Sequence, residues 1–280
     1  MPVLVLQGPR LNQVAAQQLT RAVDGALHYG QRFAHIEVEA SPSSDELAQW
    51  RKYHPFDVNL LPADFAPERA GLLVTDMDST LISIECIDEI ADFLGIKPQV
   101  SAITEAAMRG ELDFEGSLIR RVALLRDLDV SALEHVYQER LRLNPGAEIM
   151  LAGLKSRGIR VALVSGGFTF FTQRLQQRLQ LDYTLANELE VAHGKLTGRV
   201  IGTLVGAEGK AAFLQKLSAE LGLERSQTIG MGDGANDLKL MQLAGLSIAY
   251  HGKPAVQAAA SAVINHCGLE GVLGLLGIDW

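Results

Sequence analysis

The sequence contains little cysteine, and its apolar runs are short. Two of the 280 residues are cysteine, Cys86 and Cys267, and they form no CxxC or Cys/His pattern. This excludes a disulfide framework, gives no indication of zinc, and favours a reducing compartment such as the cytoplasm. Glycine or polar residues interrupt the apolar runs well before the roughly 18 residues of a membrane span. The first residues also lack the basic and apolar regions of a secretory signal.

Positive charge is scarce as well. The chain has 25 Lys and Arg residues against 33 Asp and Glu residues, a formal net charge of −8. We expect no nucleic-acid partner, because binding a polyphosphate requires a basic surface, and no membrane partner. A small anionic substrate is compatible with this charge if Lys, Arg, backbone N–H groups or a metal ion neutralise it locally. The content of 48% apolar and 21% charged residues is typical of a folded globular chain.

The length and patterning predict two unequal parts with a boundary near residue 67. Residues 3–6 form a short apolar run, residues 11–27 have helical spacing, and residues 33–38 alternate as a strand does. These features predict a small N-terminal α+β segment over residues 1–66. Within it, prolines and clustered polar residues predict irregular structure or a linker over residues 40–66. The sequence leaves open whether the chain is a monomer or a homodimer.

The rest of the chain, residues 67–280, has a repeating strand and helix pattern. Strands are predicted at 72–76, 159–164, 227–231, 246–249 and 262–264, and helices at 168–179, 210–221 and 236–244. This alternation predicts an α/β fold with a doubly wound, mostly parallel sheet. Ligands bind outside the carboxyl ends of the strands in such sheets, and the polar clusters of this sequence follow three of the predicted strands.

About eighty residues separate the first two of these strands, far more than one crossover helix needs. Helical patterning recurs within them at 85–94, 97–108, 116–126 and 131–141. We therefore predict an inserted helical cap over about residues 82–142. A cap above the strand ends can exclude water and contact a substrate.

Asp76 and Asp78 end the first of these strands, and strand alternation predicts that their side chains point the same way. Neighbouring carboxylates repel each other, and a divalent cation with oxygen ligands, above all Mg²⁺, relieves that repulsion. Asp76 can then attack phosphorus while Asp78 moves a proton. A solvated turn is the alternative for this short pattern.

Three further clusters favour phosphate chemistry. Ser165, Gly166 and Gly167 are predicted to open a helix, whose N–H groups bind phosphate oxygens, although the same residues also form ordinary caps. Lys210 adds a compact positive charge, unless it is simply exposed. The third cluster supplies oxygen ligands for a metal, or else forms a surface turn, and consists of Asp233, Asn236 and Asp237.

Together the four motifs, in this chain order, resemble those of the haloacid dehalogenase superfamily of phosphotransferases. The motifs are Asp76-Met77-Asp78-Ser79-Thr80, Ser165-Gly166-Gly167, Lys210 and Gly232-Asp233-Gly234-Ala235-Asn236-Asp237. The stretch 76–94, with Glu85-Cys86-Ile87-Asp88-Glu89, and the chain onward to about residue 270 are similar to the phosphoserine phosphatase group of that superfamily. Ser79 stands where many members have Gly, and this group accepts Ser there.

The resemblance implies a role for each motif residue. Asp76 would be the nucleophile that forms an aspartyl-phosphate, and Asp78 the general acid and then base. Mg²⁺ would be held by Asp76, the backbone carbonyl of Asp78 and Asp233, with Asp237 as support for the metal site. The phosphoryl and substrate contacts in the catalytic domain would come from Ser165, Gly166, Lys210 and Asn236.

In the cap, the resemblance implies contacts with the amino-acid part of the substrate. Glu85 would lie near its ammonium group, and Arg121 would pair with its carboxylate. Met108 and Phe114 would shield the site with apolar surface. The alternatives are a solvated Glu and Arg and an ordinary cap core, and sequence spacing leaves open whether Arg120 takes the place of Arg121.

The implied function is magnesium-dependent hydrolysis of O-phospho-L-serine to L-serine and inorganic phosphate, the last step of serine biosynthesis. Another small-molecule phosphatase or phosphotransferase of the superfamily, such as one passing phosphate to homoserine, is the nearest alternative. A non-catalytic phospho-acceptor module is a second. Some relatives carry an amino-acid-sensing ACT-like module at the N-terminus. Here a βαβ-like half of such a module is recognisable, which favours a degenerate structural or dimerisation element.

Overall fold

The computed structural model describes residues 2–108 and 111–280, with the side chain of Met108 excepted. The N-terminal part is a four-stranded sheet with two helices. Its elements in chain order are β1 (Val3–Gln7), α1 (Gln13–Ala22), β2 (Ala26–Tyr29), β3 (Phe33–Glu37), α2 (Ser44–Tyr53) and β4 (Asp57–Leu60). The strand order is β2-β3-β1-β4, and each paired neighbour is antiparallel. This is a complete βαββαβ unit of the split βαβ type.

The predicted linker over residues 40–66 is wrong, because α2 and β4 lie within it. The side chain of Ser43 accepts a hydrogen bond from the backbone of Glu46, and the Glu46 side chain reciprocates, which forms a capping box that starts α2. Pro42 and Pro55 flank the helix and do not interrupt it. No residue of α2 is fully buried, so its helical period is faint in the sequence. The helical spacing predicted over residues 11–27 extends too far, because α1 ends at Ala22 and β2 begins at Ala26.

The second sheet has seven strands and carries the predicted polar clusters. They are β5 (Leu72–Asp76), β6 (Arg160–Phe168), β7 (Tyr183–Ala192), β8 (Lys195–Ile201), β9 (Thr228–Gly232), β10 (Leu246–Tyr250) and β11 (Ala262–Ile264). The order is β11-β10-β9-β5-β6-β7-β8, and the paired neighbours are parallel except for the antiparallel edge pair of β7 and β8. The predicted mostly parallel sheet is confirmed. β7 and β8 were not predicted from the sequence.

Helices cover this sheet and form the insertion. The four inserted helices are α3 (Cys86–Phe93), α4 (Lys97–Met108), α5 (Phe114–Ala123) and α6 (Ser131–His135), the last continued by a π turn at Val136–Arg140. The remaining helices are α7 (Ala147–Ser156), α8 (Thr169–Leu179), α9 (Ala207–Leu221), α10 (Leu238–Leu243), α11 (Pro254–Ala259) and α12 (Gly271–Leu275). None of the helices in the described part of the chain is long and apolar enough to cross a bilayer.

The two ends of the helical insertion leave the sheet side by side. Ile82 and Leu143 form an isolated antiparallel bridge, and the backbone N–H of Ser83 donates to the carbonyl of Arg142 at 2.9 Å. The insertion therefore has a narrow, paired root above the carboxyl end of β5. This arrangement places its helices over the strand ends, where the polar clusters lie.

The two sheets meet edge to edge, β4 beside β11. The amide of Asn59 in β4 accepts from Val263 N at 2.8 Å and donates to Val263 O at 2.9 Å, as a neighbouring strand would. The buried carboxylate of Asp57 accepts three backbone N–H bonds at 2.8–3.1 Å, from Asn265, His266 and Cys267. The N-terminal sheet thus covers an edge that would otherwise expose unpaired backbone groups.

Candidate active site

Asp76 is the last residue of a strand that is buried along its whole length. β5 lies between β6 and β9 and runs parallel to both, so the residues that follow the three strands meet at one edge of the sheet. Asp76 itself is 4% exposed. The polar residues of the three motifs thereby come together around this carboxylate.

A π turn, Met77–Leu81, follows Asp76 and contains Asp78. Ser79 within it has φ +55°, the left-handed region in which glycine is least strained. The side-chain amide of Asn144 holds this turn from the other end of the insertion, donating to Thr80 O at 2.8 Å and Ile82 O at 3.1 Å. The turn and the root of the cap are therefore tied together.

Lys210 supplies the positive charge that lies against the carboxylates of Asp76 and Asp237. Its ammonium lies 2.7 Å from Asp76 Oδ1 and 2.7 Å from Asp237 Oδ1, and the side chain is fully buried. Burial opposes the charged ammonium, but the two carboxylates outweigh it and raise the pKa of Lys210. The alternative of an exposed lysine is wrong, because α9 directs Lys210 into the edge of the sheet.

Asp78 has a different environment from Asp76. Its Oδ1 accepts from Cys86 N at 3.0 Å, and Ser165 Oγ donates to its Oδ2 at 3.4 Å. Burial and the charge of Glu85 raise the pKa of Asp78 to about 7. Both aspartates line one cavity. Strand alternation does not explain this placement, because β5 ends at Asp76 and Asp78 lies in the turn that follows.

Three carboxylates could hold a metal ion. One oxygen each from Asp76, Asp233 and Asp237 lie within 4.8 Å of one another. Three carboxylates against one ammonium leave excess negative charge, and oxygen ligands suit a hard divalent cation such as Mg²⁺. Burial raises the pKa of Asp233 to about 6, and Asp237 and Glu85 add to that shift. The donor set fits the predicted metal, and the Asp237 carboxylate, predicted as support for the metal site, lies in the same cluster as Asp76 and Asp233.

The Ser165-Gly166-Gly167 segment lies beside Asp78. It does not open a helix as predicted, because β6 continues irregularly to Phe168 and α8 begins at Thr169. Gly167 N donates to Ser165 Oγ at 2.8 Å. A Cβ atom at Gly167 would come within 2.9 Å of Asp78 Oδ2. Glycine is therefore required here for the close approach of the two segments.

The predicted substrate residues surround a cavity of about 1020 Å³ between the sheet and the cap. Nine of them line it: Asp76, Asp78, Glu85, Phe114, Arg121, Ser165, Gly166, Asp233 and Asn236. Lys210 and Asp237 lie behind Asp76 without reaching the cavity surface. The predicted contact of the Met108 side chain falls outside the described residues.

Arg121 and Arg120 differ in their placement. Arg121 is half-buried and lines the cavity, with Glu85, Asp88 and Asp78 as its acidic neighbours, whereas Arg120 is exposed. Adjacent positions on a helix point about 100° apart. Of the two arginines, Arg121 is therefore the one that can reach a bound molecule.

Three residues that shape the site were not predicted from the sequence. Asn144 precedes Pro145 and Gly146, a turn signature that could have drawn attention to it. Asn187 lies inside β7, and an Asn within a strand is itself a weak signal. Lys253 lines the cavity, and its backbone N–H donates to Asp233 O at 2.9 Å. No local pattern distinguishes Lys253 from a surface lysine.

Known proteins are similar to this chain in sequence and in fold. A model of the haloacid dehalogenase-like hydrolase family matches residues 73–242. The chain belongs to the haloacid dehalogenase-like hydrolases. This confirms the family resemblance predicted from the four motifs. A phosphoserine phosphatase from Polaromonas sp. is 50% identical to this hydrolase over 224 residues, which cover 78% of this chain and 95% of that protein.

Two solved structures extend the comparison. A probable phosphoserine phosphatase from Vibrio cholerae, in unliganded form, has a TM-score of 0.84 and 37% identity and covers 99% of this hydrolase and 86% of that chain. A phospho-aspartyl intermediate analogue of a phosphoserine phosphatase has a TM-score of 0.69 and 40% identity, covering 74% and 99%. The likeness to the Vibrio structure therefore includes the N-terminal sheet.

Proposed function

We propose that this hydrolase is a phosphoserine phosphatase, which converts O-phospho-L-serine and water to L-serine and inorganic phosphate, the last step of serine biosynthesis. The observation that carries the proposal is the pairing of Asp76 with the buried ammonium of Lys210 at a cavity also lined by Asp78 and Arg121. Relatives that are 50% and 49% identical to it over 224 and 209 residues are phosphoserine phosphatases.

In the proposed first step, a carboxylate oxygen of Asp76 attacks the phosphorus atom. The bond from phosphorus to the serine oxygen breaks, and Asp78 donates a proton to that oxygen, so L-serine leaves and an aspartyl-phosphate forms. Asp78 then takes a proton from water, whose oxygen attacks the same phosphorus. Inorganic phosphate leaves and Asp76 is regenerated. Ser165 and Gly166 are proposed to hold the phosphoryl oxygens throughout.

Lys210 reduces the electrostatic cost of this reaction. A carboxylate nucleophile and a phosphate dianion repel each other, and the ammonium next to Asp76 offsets that repulsion. We propose that Mg²⁺ is held by Asp76, Asp233 and the backbone carbonyl of Asp78, with Asp237 in support. When bound, the ion would supply further positive charge for the phosphoryl oxygens.

The cap residues are proposed to select the amino acid. Phosphoserine carries an ammonium and a carboxylate beside its phosphate, so a selective site needs one anion and one cation of its own. Glu85 and Arg121 supply them on the cavity wall. Phe114 is proposed to shield the site with apolar surface, and Asn236, which lies outside the cap, is proposed to contact the substrate from the cavity wall.

We propose a structural role for the N-terminal module, residues 1–66. The side chains of Asp57 and Asn59 form hydrogen bonds with backbone groups of the catalytic sheet. These bonds join the two sheets directly, and no ligand is needed to explain the contact. Loss of the Asp57 carboxylate should therefore lower the stability of the chain.

The decisive test of the activity compares wild type with Asp76→Asn on phosphoserine. The variant keeps the pair between Lys210 and Asp237 and is expected to fold, but turnover should fall by about 1,000-fold or more. Mass spectrometry must exclude deamidated material. Wild-type turnover by the Asn variant would refute the nucleophile.

Substrate choice and metal dependence need separate assays. Phosphate release from a panel of phosphomonoesters should favour phosphoserine, and phosphate transfer to added homoserine would support the alternative activity. Many turnovers per chain would exclude a phospho-acceptor module. Chelation should abolish release and Mg²⁺ should restore it. Full activity after exhaustive chelation would contradict the proposed metal.

A further inference from the structure

Asn187, in the middle of β7, forms side-chain hydrogen bonds with two other segments of the chain, one at Gly166 and one at Val205. Its side chain is 1% exposed. Its Nδ2 donates to Gly166 O at 2.8 Å, and its Oδ1 accepts from Val205 N at 2.8 Å. Gly166 follows the apolar part of β6, whereas Val205 lies two residues before α9. One amide group therefore links two segments that share no backbone hydrogen bond in the described structure.

Both linked segments carry groups of the site. The first contains Ser165 and Gly166, which line the cavity. The second leads into α9, where Lys210 N donates to Gly206 O at 3.0 Å and the Lys210 side chain reaches Asp76. The separation of the two segments therefore sets how far the Ser165 hydroxyl lies from the buried ammonium.

The linked segments also contact Phe114, the first residue of α5 in the cap. A Cβ atom at Gly166 would come within 3.0 Å of Phe114 Cζ, and one at Gly206 within 3.1 Å of Phe114 Cδ1. The Phe114 ring thus lies against two bare glycine positions at once. Gly166 is itself bonded to Asn187, and Gly206 directly follows Val205, the other residue bonded to Asn187.

We propose that Asn187 is a positioning residue that fixes the spacing of the two phosphate-binding segments and of the surface under Phe114. It does not line the cavity, so it acts through Gly166 and Val205 and does not touch the substrate. A buried side chain with both polar ends bonded has a defined rotamer, and such groups hold a site to the sub-ångström tolerance that positioning requires. The proposal deepens the proposed function and rests on it.

The chain offers a matched control. Asn59 is fully buried and also joins two segments through both ends of its amide, but it does so at the contact of β4 with β11, away from the cavity. Loss of either amide leaves a buried backbone donor and acceptor without their partner. Asn59 Oδ1 also accepts from Arg51 Nη2 at 2.9 Å. Its replacement should therefore cost at least as much stability as that of Asn187, and the two positions differ in their relation to the site.

The experiment compares Asn187→Ala and the milder Asn187→Ser with Asn59→Ser in the full chain with MgCl₂. The Ser hydroxyl is too short to reach both Gly166 and Val205. Calorimetric titration should show about tenfold or greater weakening of inorganic phosphate binding in the Asn187 variants. KM for phosphoserine should rise by a similar factor, and kcat should change less. Asn59→Ser should lower Tm and leave phosphate affinity and KM unchanged.

Two results would overturn the proposal. One is an Asn187→Ser protein with lowered Tm but wild-type phosphate affinity and KM, which would make the residue purely structural. The other is an equal loss of phosphate affinity in Asn59→Ser, which would attribute the effect to general destabilisation. Failure of the proposed function is distinguishable, because it would appear as wild-type enzyme without preference for phosphoserine while the phosphate titrations still discriminate the variants.

Discussion

The ammonium of Lys210 lies 2.7 Å from Oδ1 of Asp76, and neither side chain is in free contact with solvent. A charge pair of this kind is expensive to bury and more expensive to break, because the remaining group keeps its charge without a partner. Lys210 also neutralises Asp237, so its removal leaves two buried carboxylates. The same contact thus contributes to both folding and the proposed chemistry.

We predict that Lys210→Met lowers the free energy of unfolding by about 3–5 kcal/mol and abolishes phosphatase activity. Urea denaturation followed by circular dichroism measures the first effect, and phosphate release measures the second. Lys239→Met is the control, because Lys239 pairs with Glu208 on the surface, where such pairs contribute little. A Lys210→Met protein as stable as the control would contradict the prediction.

The two adjacent arginines of α5 should differ in their effect on substrate binding. Arg121→Ala removes the half-buried guanidinium on the cavity wall, and KM for phosphoserine should rise about ten- to hundredfold, as expected for a lost hydrogen bond to a charged group. Arg120→Ala removes an exposed side chain and should leave KM unchanged. Steady-state kinetics of both variants test this. A rise in KM for Arg120→Ala alone would reverse the assignment.

His35 should make the stability of the chain depend on pH. Its Nε2 lies 2.7 Å from Gly274 O, at the contact between β3 and α12. Burial, with a smaller effect of His28, lowers the pKa of His35 below 6.5, although the bond to Gly274 opposes this shift. The unfolded chain therefore takes up the proton at a higher pH than the folded chain. The stabilisation is present above pH 6.5 and is lost as the pH falls through the lower folded-state pKa.

The measurement for His35 is Tm between about pH 8 and pH 5. Wild type should lose more Tm on acidification than His35→Gln, which keeps a donor but does not titrate. Because other groups titrate equally in both proteins, the difference between the two curves isolates His35. Parallel curves would show that its protonation does not affect folding.

Asp57→Ala should destabilise the chain through the edge contact of the two sheets. It leaves three backbone N–H groups near residues 265–267 without their acceptor, at a cost of about 3 kcal/mol or more. Asp64→Ala, which removes an exposed partner of Arg225, should change stability by less than about 1 kcal/mol. Urea denaturation of both variants measures the change in the free energy of unfolding. An Asp57→Ala protein as stable as Asp64→Ala would show that the contact contributes nothing.

Much of the catalytic sheet could be predicted because of how its strands are buried. The strands predicted at 72–76 and 262–264 match β5 and β11, since strands covered on both faces are continuous apolar runs. β7 and β8 form the edge and are partly solvated, so their mixed composition hid them. α2 was missed for the same reason.

The sequence by itself determined the family and the order of the motifs, because three of the four motifs are runs of neighbouring residues. The tertiary structure decided what those residues do to one another. It buried Lys210 between two carboxylates, placed Asp78 in the turn after β5, placed Arg121 rather than Arg120 on the cavity wall, and joined Asn187 to two distant segments. These contacts depend on packing between residues far apart in the chain, so they cannot be predicted from the local sequence around each residue.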